Sequence, residues 1–220
     1  MSFTPRLRAV RRSLPLLAAS LVGLVAAPDA SATLQLGASG RAVERLNARL
    51  AALTYLPAGH VGSRFTHATR YAVMAFQKYA RIEVDGVVGP VTGSALRSAL
   101  RPRAPAAGAG RRLVVSLSRQ LAFLVGSGGL VRRTVSVSTG KAGYRTPRGS
   151  FRVYRRERRS WSYPYRVWLP WAAYFHGGYA LHGYRSVPSY PASHGCVRVP
   201  LPFAGGVYAF ATLGTKVVVT

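Results

Sequence analysis

The sequence predicts two domains, a small all-α unit of three helices followed by a mostly-β domain of sandwich or barrel type. Three observations carry this. Apolar residues recur at helical spacing between Val43 and Leu96, the period becomes that of strands from Leu113 onward, and residues 101–110, poor in large apolar side chains, separate the two. The expected divisions are 1–32 for an export signal, 33–100 for the helical unit, 101–110 for a Pro/Ala/Gly linker and 111–220 for the β-rich half.

At the N-terminus, Arg6, Arg8, Arg11 and Arg12 form a basic segment, and residues 14–27 form an apolar run shorter than a bilayer span. Ala30-Ser31-Ala32 then has the small-x-small form of a cleavage site. The expectation is a secretory signal and a mature chain from about Thr33, in the periplasm or cell wall, with no stable membrane span after cleavage. An uncleaved single-span anchor is the alternative, and Arg11-Arg12 leaves twin-arginine export open beside the general route.

In the helical unit, Val43, Leu46, Leu50 and Leu53 follow Gly40 at helical spacing and predict an amphipathic helix over 41–52. Thr66 or Thr69 caps a second helix whose Ala72, Val73, Phe76 and Ala80 share a face. Asp85-Gly86-Val87-Val88-Gly89-Pro90 is a turn, with Pro90 suited to open a third helix through Leu96. His60 and His67 read as loop and helix-start residues, since nothing nearby completes a metal set. The pattern of Phe76-Gln77 followed by the Asp-Gly-Val-Val-Gly-Pro turn, Thr92 and Ala95-Leu96 resembles the three-helix peptidoglycan-binding module, which implies peptidoglycan as a partner.

Charge narrows the partners. The chain carries 31 Lys and Arg against 5 Asp and Glu, a surface that attracts polyanions. For an exported protein the anionic cell envelope is the accessible one, and no helix-turn-helix, finger or RNA-binding pattern argues for nucleic acid. Residues 111–220 contain one carboxylate, Glu157, and neither Asp nor Asn. Paired-carboxylate glycosidase chemistry and a Cys-His-Asp or Cys-His-Asn triad are thereby excluded for this half.

The β-rich half predicts strands over 113–117, 121–125, 131–137 and 150–154, and an irregular strand over 173–182 interrupted at Gly177-Gly178. A short helix over 203–211 and a closing strand over 216–220 follow. The Arg155-Arg156-Glu157-Arg158-Arg159 run reads as a solvated loop or hairpin tip. Trp161, Tyr163, Tyr165, Trp168 and Trp171 are either core or the wall of a substrate groove.

The chemistry centres on Cys196, the only cysteine. One thiol forms no internal disulfide, and one cysteine with scattered histidines is a poor zinc set. Gly195 leaves the backbone beside the sulfur unshielded, while His194 and Arg198 supply a proton acceptor and positive charge, the setting of a nucleophilic thiolate. His194 and Cys196, two residues apart, face the same side of an extended segment. The N–H groups of Gly195 and Cys196 are the candidate oxyanion donors, and His182, followed by Gly183, could add a second imidazole. His176 reads as structural.

Ser138-Thr139-Gly140-Lys141, Thr146-Pro147-Arg148-Gly149-Ser150-Phe151, Gly178-Tyr179-Ala180-Leu181-His182-Gly183 and Ser193-His194-Gly195-Cys196-Val197-Arg198 resemble, in order, the motifs of the L,D-transpeptidase (YkuD-type) catalytic domain. Arg198 stands where many members have Asn. The resemblance implies that Cys196 attacks the peptidoglycan stem peptide with His194 as its base, oriented by a backbone carbonyl. His182 is then the pocket histidine, and Ser193, Gly195, Arg198 and Gly183 frame the oxyanion site and pocket. It further implies a thioester acyl-enzyme, D-alanine release and 3-3 cross-links in wall biogenesis and cell shape, as well as acylation by carbapenems. Water as acceptor would make the chain an L,D-carboxypeptidase, and an inert Cys196 would leave a non-catalytic wall-binding protein. No cofactor or metal is expected.

Overall fold

Helix α1 (Arg41–Ala52) buries Val43, Leu46 and Leu50, the residues whose three- and four-residue spacing defines its apolar stripe. Helix α2 (His67–Ala80) begins at Thr66, where the hydroxyls and N–H groups of Thr66 and Thr69 cap each other reciprocally. Helix α3 (Pro90–Ser98) opens on its proline, whose missing N–H costs nothing in a first turn. Gln77 ties this unit together. Its amide nitrogen donates to Asp85 Oδ1 at 2.6 Å and to Val87 O at 2.9 Å, and its oxygen accepts from the Gly86 N–H at 2.9 Å. The Phe-Gln pair and the Asp-Gly turn are thus two sides of one hydrogen-bonded joint.

The computed structural model describes residues 1–2, 33–106 and 108–220. But for two residues, the export signal expected over 1–32 lies outside them. No helix among the described residues is long and apolar enough to cross a membrane.

The second half forms two sheets. The first has β1 (Arg112–Ser116), β2 (Leu121–Val125), β3 (Val131–Ser136), β4 (Gly149–Arg152) and β9 (Lys216–Val219) in the order β3-β2-β1-β9-β4. The second has β5 (Arg155–Ser162), β6 (Val167–His176), β7 (Tyr179–Tyr184) and β8 (Val197–Pro200) in sequence order, with β7 and β8 parallel. Helix α4 (Leu201–Phe210) leads from β8 back toward β9. β1 and β2 are buried along their whole length, over the apolar runs Leu113–Val115 and Leu121–Val125, with Arg112 and Ser116 buried at the ends of β1.

Two expectations change. The Arg155–Arg159 run is a strand, because its guanidinium groups rest on rings: Arg155 over Tyr174, Arg156 over Tyr208, Arg158 over Trp171 and Arg159 over Trp168. Gly177-Gly178 interrupts nothing; it is the turn between β6 and β7.

The helical unit packs against the first sheet, and its core and that of the sheets are one hydrophobic cluster. Tyr79 meets Phe123 edge-on at 6.3 Å, and the Thr134 N–H of β3 donates to Thr54 O at 2.9 Å. Lys78, buried on α2, donates to Gln120 O, Ser136 Oγ and Val137 O at 3.2, 2.8 and 3.0 Å. The connecting segment is fastened too: Arg101 Nε donates to Ala52 O, the Arg103 N–H donates to the Tyr79 hydroxyl, and Pro102 is buried.

Candidate active site

Cys196 stands just before β8, at the end of a loop held from three directions. The Ser193 hydroxyl donates to Cys196 O at 2.5 Å and accepts the Gly195 N–H at 3.0 Å. Thr139 O accepts the N–H groups of Ala192 and Ser193, and Ser193 O accepts that of Lys141. The Thr146 hydroxyl donates to Gly195 O at 2.7 Å while accepting the Gly140 N–H at 3.0 Å. Three of the sequence motifs therefore converge on one loop as its hydrogen-bond scaffold. Gly195 has φ +113, and a Cβ there would lie 2.3 Å from Tyr179 Cε1, so no side chain fits.

The second sheet sets out the chemistry in rows. Arg155 pairs with Tyr174 and Tyr174 with Ala180. Extending the β7–β8 register by one residue places Cys196 beside Ala180. The next row on the same face is Glu157, Ala172, His182 and Arg198, from the same registers. Cys196 and His182 are thus diagonal neighbours on one sheet face, and both line a pocket of about 870 Å³. Trp161, Tyr163 and Tyr165, from the end of β5 and the turn after it, stand around the pocket, whereas Trp171 packs on Tyr208 of α4. The aromatic cluster is divided between the groove, the margin of the core at Trp171, and an exposed Trp168 that carries the Arg159 guanidinium.

His182 is 4 % exposed, and its Nδ1 lies 2.9 Å from Gly183 O. A carbonyl only accepts, so Nδ1 carries the proton and Nε2 is the ring's free acceptor. Burial, aided by the Arg198 charge and opposed by the Gly183 hydrogen bond, pushes its pKa down to about 4. The ring is neutral at neutral pH. His194 is exposed, stacked on Tyr165 and edge-on to Tyr144, each at 4.7 Å. Desolvation by its surroundings, then the charges of Lys141 and Arg198, lower its pKa.

The Cys196 thiol is pushed up by burial and drawn back by the Ala180 N–H and by Arg198. Those two groups are what would stabilise a thiolate as it forms. Arg198 is fixed with its guanidinium 4.2 Å above the Tyr184 ring. Gly183 contributes its carbonyl to His182, and its lack of a side chain lets Ala204 and Leu201 of α4 approach closely. Tyr184 and Tyr179 are site residues that sequence reasoning did not single out. The signal for Tyr184 was its position two residues beyond His182 on the same strand face. Among the described residues no group of three or more His, Cys, Asp and Glu side chains could hold a metal ion.

Residues 110–219 match the L,D-transpeptidase catalytic domain family (YkuD), and residues 39–96 match a putative peptidoglycan-binding domain family. No curated protein matches the chain. Among solved structures, the L,D-transpeptidase (residues 123–326) from Xylanimonas cellulosilytica is 35 % identical, with 88 % of this chain and 100 % of that one covered and a TM-score of 0.79. An L,D-transpeptidase from Stackebrandtia nassauensis is 26 % identical, with 89 % and 97 % covered and a TM-score of 0.54.

Proposed function

The chain belongs to the L,D-transpeptidase (YkuD) family, and on that premise we propose that it is an exported enzyme forming 3-3 cross-links in peptidoglycan through a thioester at Cys196. The observation that carries this reading is the placing of Cys196 and a carbonyl-oriented, neutral His182 as diagonal neighbours in one pocket. On this reading His182, in place of His194, is the base. His182 has its tautomer fixed by Gly183 O, whereas His194 is an exposed ring held between two tyrosines.

In the first half-reaction His182 Nε2 takes the thiol proton, and Cys196 Sγ bonds to the carbonyl carbon between the third residue and the terminal D-alanine of a tetrapeptide stem. The Gly195 N–H is already held by Ser193, which leaves the Cys196 N–H of that pair to face the oxyanion. Collapse breaks the C–N bond as the imidazolium returns its proton to the departing D-alanine nitrogen. In the second half, an amine from a neighbouring stem attacks the thioester carbonyl and gives its proton to His182, and Cys196 leaves as the thiol. The helical unit, from its match to the peptidoglycan-binding family, holds the wall, and carbapenems acylate the same sulfur.

The test is mass spectrometry of a purified disaccharide-tetrapeptide incubated with the mature chain and with Cys196→Ala. A Cys196-dependent dimer lacking one D-alanine is expected. A hydrolysed tripeptide alone would make the chain an L,D-carboxypeptidase, and wall binding with neither product would leave a non-catalytic wall-binding protein.

A further inference from the structure

Glu157 lines the pocket but has no part in the acyl-transfer steps, and it is the only carboxylate in residues 111–220. The titratable groups across from it, His182, His194, Cys196 and Arg198, are all neutral or cationic, so an ammonium entering this pocket finds one anionic partner. Glu157 is also poorly matched for so basic a chain. Among the described residues its ion-pair contact is a single Arg155 Nε at 3.5 Å, long for a charge-assisted bond, and the two side chains remain 37 % and 51 % exposed. An exposed pair of this kind adds little to stability and opens readily. Arg155 meanwhile is held in place, its guanidinium 3.9 Å above the Tyr174 ring, whose hydroxyl is 2.9 Å from Ser160 Oγ.

We propose that Arg155 and Glu157 form a subsite for an amino-acid head bearing both charges, with Arg155 donating to its carboxylate and Glu157 accepting from its ammonium. This rests on the L,D-transpeptidase reading and names the substrate class within it. The donor stem carries a diamino acid whose side chain ends in a zwitterion, not in a plain amine. The register supplies the reach. Cys196, Ala180, Tyr174 and Arg155 lie in one row, and the three strand spacings between the ends come to about 14 Å. A thioester-linked diamino acid with three methylenes between its α-carbons extends about 10 Å from the sulfur, at roughly 1.5 Å per bond. The Arg155 and Glu157 side chains span the remainder, and Ala180 keeps the floor low beside the sulfur.

The experiment uses three tetrapeptide stems, with third residues meso-diaminopimelate, its side-chain amide (ammonium only) and its side-chain N-acetyl form (carboxylate only). D-alanine release is measured with the mature wild-type chain, Arg155→Gln and Glu157→Gln, and peptide affinity with the same three on a Cys196→Ala background. The wild type should favour the zwitterionic stem over each of the others by about tenfold in both readouts. Arg155→Gln should erase the penalty for amidation alone, and Glu157→Gln the penalty for acetylation alone. Thermal melting checks that the variants are folded, and the wild-type preference does not depend on them. Equal treatment of the three stems by the wild type, or penalties that persist in both variants, would overturn the subsite. If no stem yields Cys196-dependent D-alanine, it is the transpeptidase reading that fails, and the affinities still decide whether the pair binds a zwitterion.

Discussion

A buried imidazole that donates through Nδ1 to Gly183 O keeps Nε2 free only while the ring is neutral. Replacing His182 with Gln should lower kcat/KM for D-alanine release by about 10²–10⁴, the range of a lost general base. His194→Gln, which removes a ring packed between Tyr144 and Tyr165, should cost about tenfold or less. The acid limb of kcat/KM should lie near the depressed pKa of about 4 for His182, not near 6.5. The same shift bears on stability. Between pH 6.5 and about 4 the unfolded chain takes up a proton at His182 that the folded chain refuses, so this residue's contribution is full above 6.5 and falls as pH drops through that window. Denaturant unfolding over that range should show the wild type losing more stability than His182→Gln.

The loop before β8 works as a unit because its carbonyls and N–H groups are claimed by Thr139, Lys141, Thr146 and Ser193. Thr146→Val keeps the shape but strands both Gly195 O and the Gly140 N–H in a buried place, which should cost about 1–3 kcal/mol and displace Cys196. A lower denaturant midpoint together with reduced D-alanine release would show this; unchanged activity would detach the Thr146 bond from the positioning of Cys196. Strand β5 illustrates the opposite economy. Four arginines in five residues persist in an edge strand because their guanidinium groups lie on rings from β6 and α4.

Across the whole chain, the helical unit and the sheets behave as one body built on a continuous core. Thermal melting of residues 33–220 should therefore show one transition. Residues 111–220 alone, with the β2–β3 surface uncovered, should melt at least about 5 °C lower. Lys78 sits in that joint, and burial draws its pKa from 10.5 to about 7. Between pH 7 and 10.5 the unfolded chain binds a proton that the folded chain does not, so stability rises with pH over that range. Lys78→Met should flatten this slope and lower stability by about 1–3 kcal/mol, since it strands the Ser136 hydroxyl and the Gln120 and Val137 carbonyls that the amine serves. A persistent slope in the variant would assign it to another group.

Helix positions, the turn at Asp85-Gly86 and the catalytic motifs were all legible in the sequence, because each depends on local rules of period, capping and glycine geometry. The lone cysteine and the near absence of carboxylates likewise restricted the chemistry before any fold was known. What local rules could not convey was adjacency between strands. His194 is two residues from Cys196, yet Gly195 turns the chain with φ +113 and His194 lies in the open, while His182, fourteen positions away, lies across a parallel strand pair from the sulfur. The arginine run reads as a loop by charge alone, since the rings that hold it come from distant β6 and α4. By itself the sequence determined the family, the two kinds of unit and the candidate nucleophile; the tertiary structure decided which histidine shares its sheet face, where Glu157 meets the pocket and that the two units share a core, because cross-strand register and side-chain burial are set by non-local pairing.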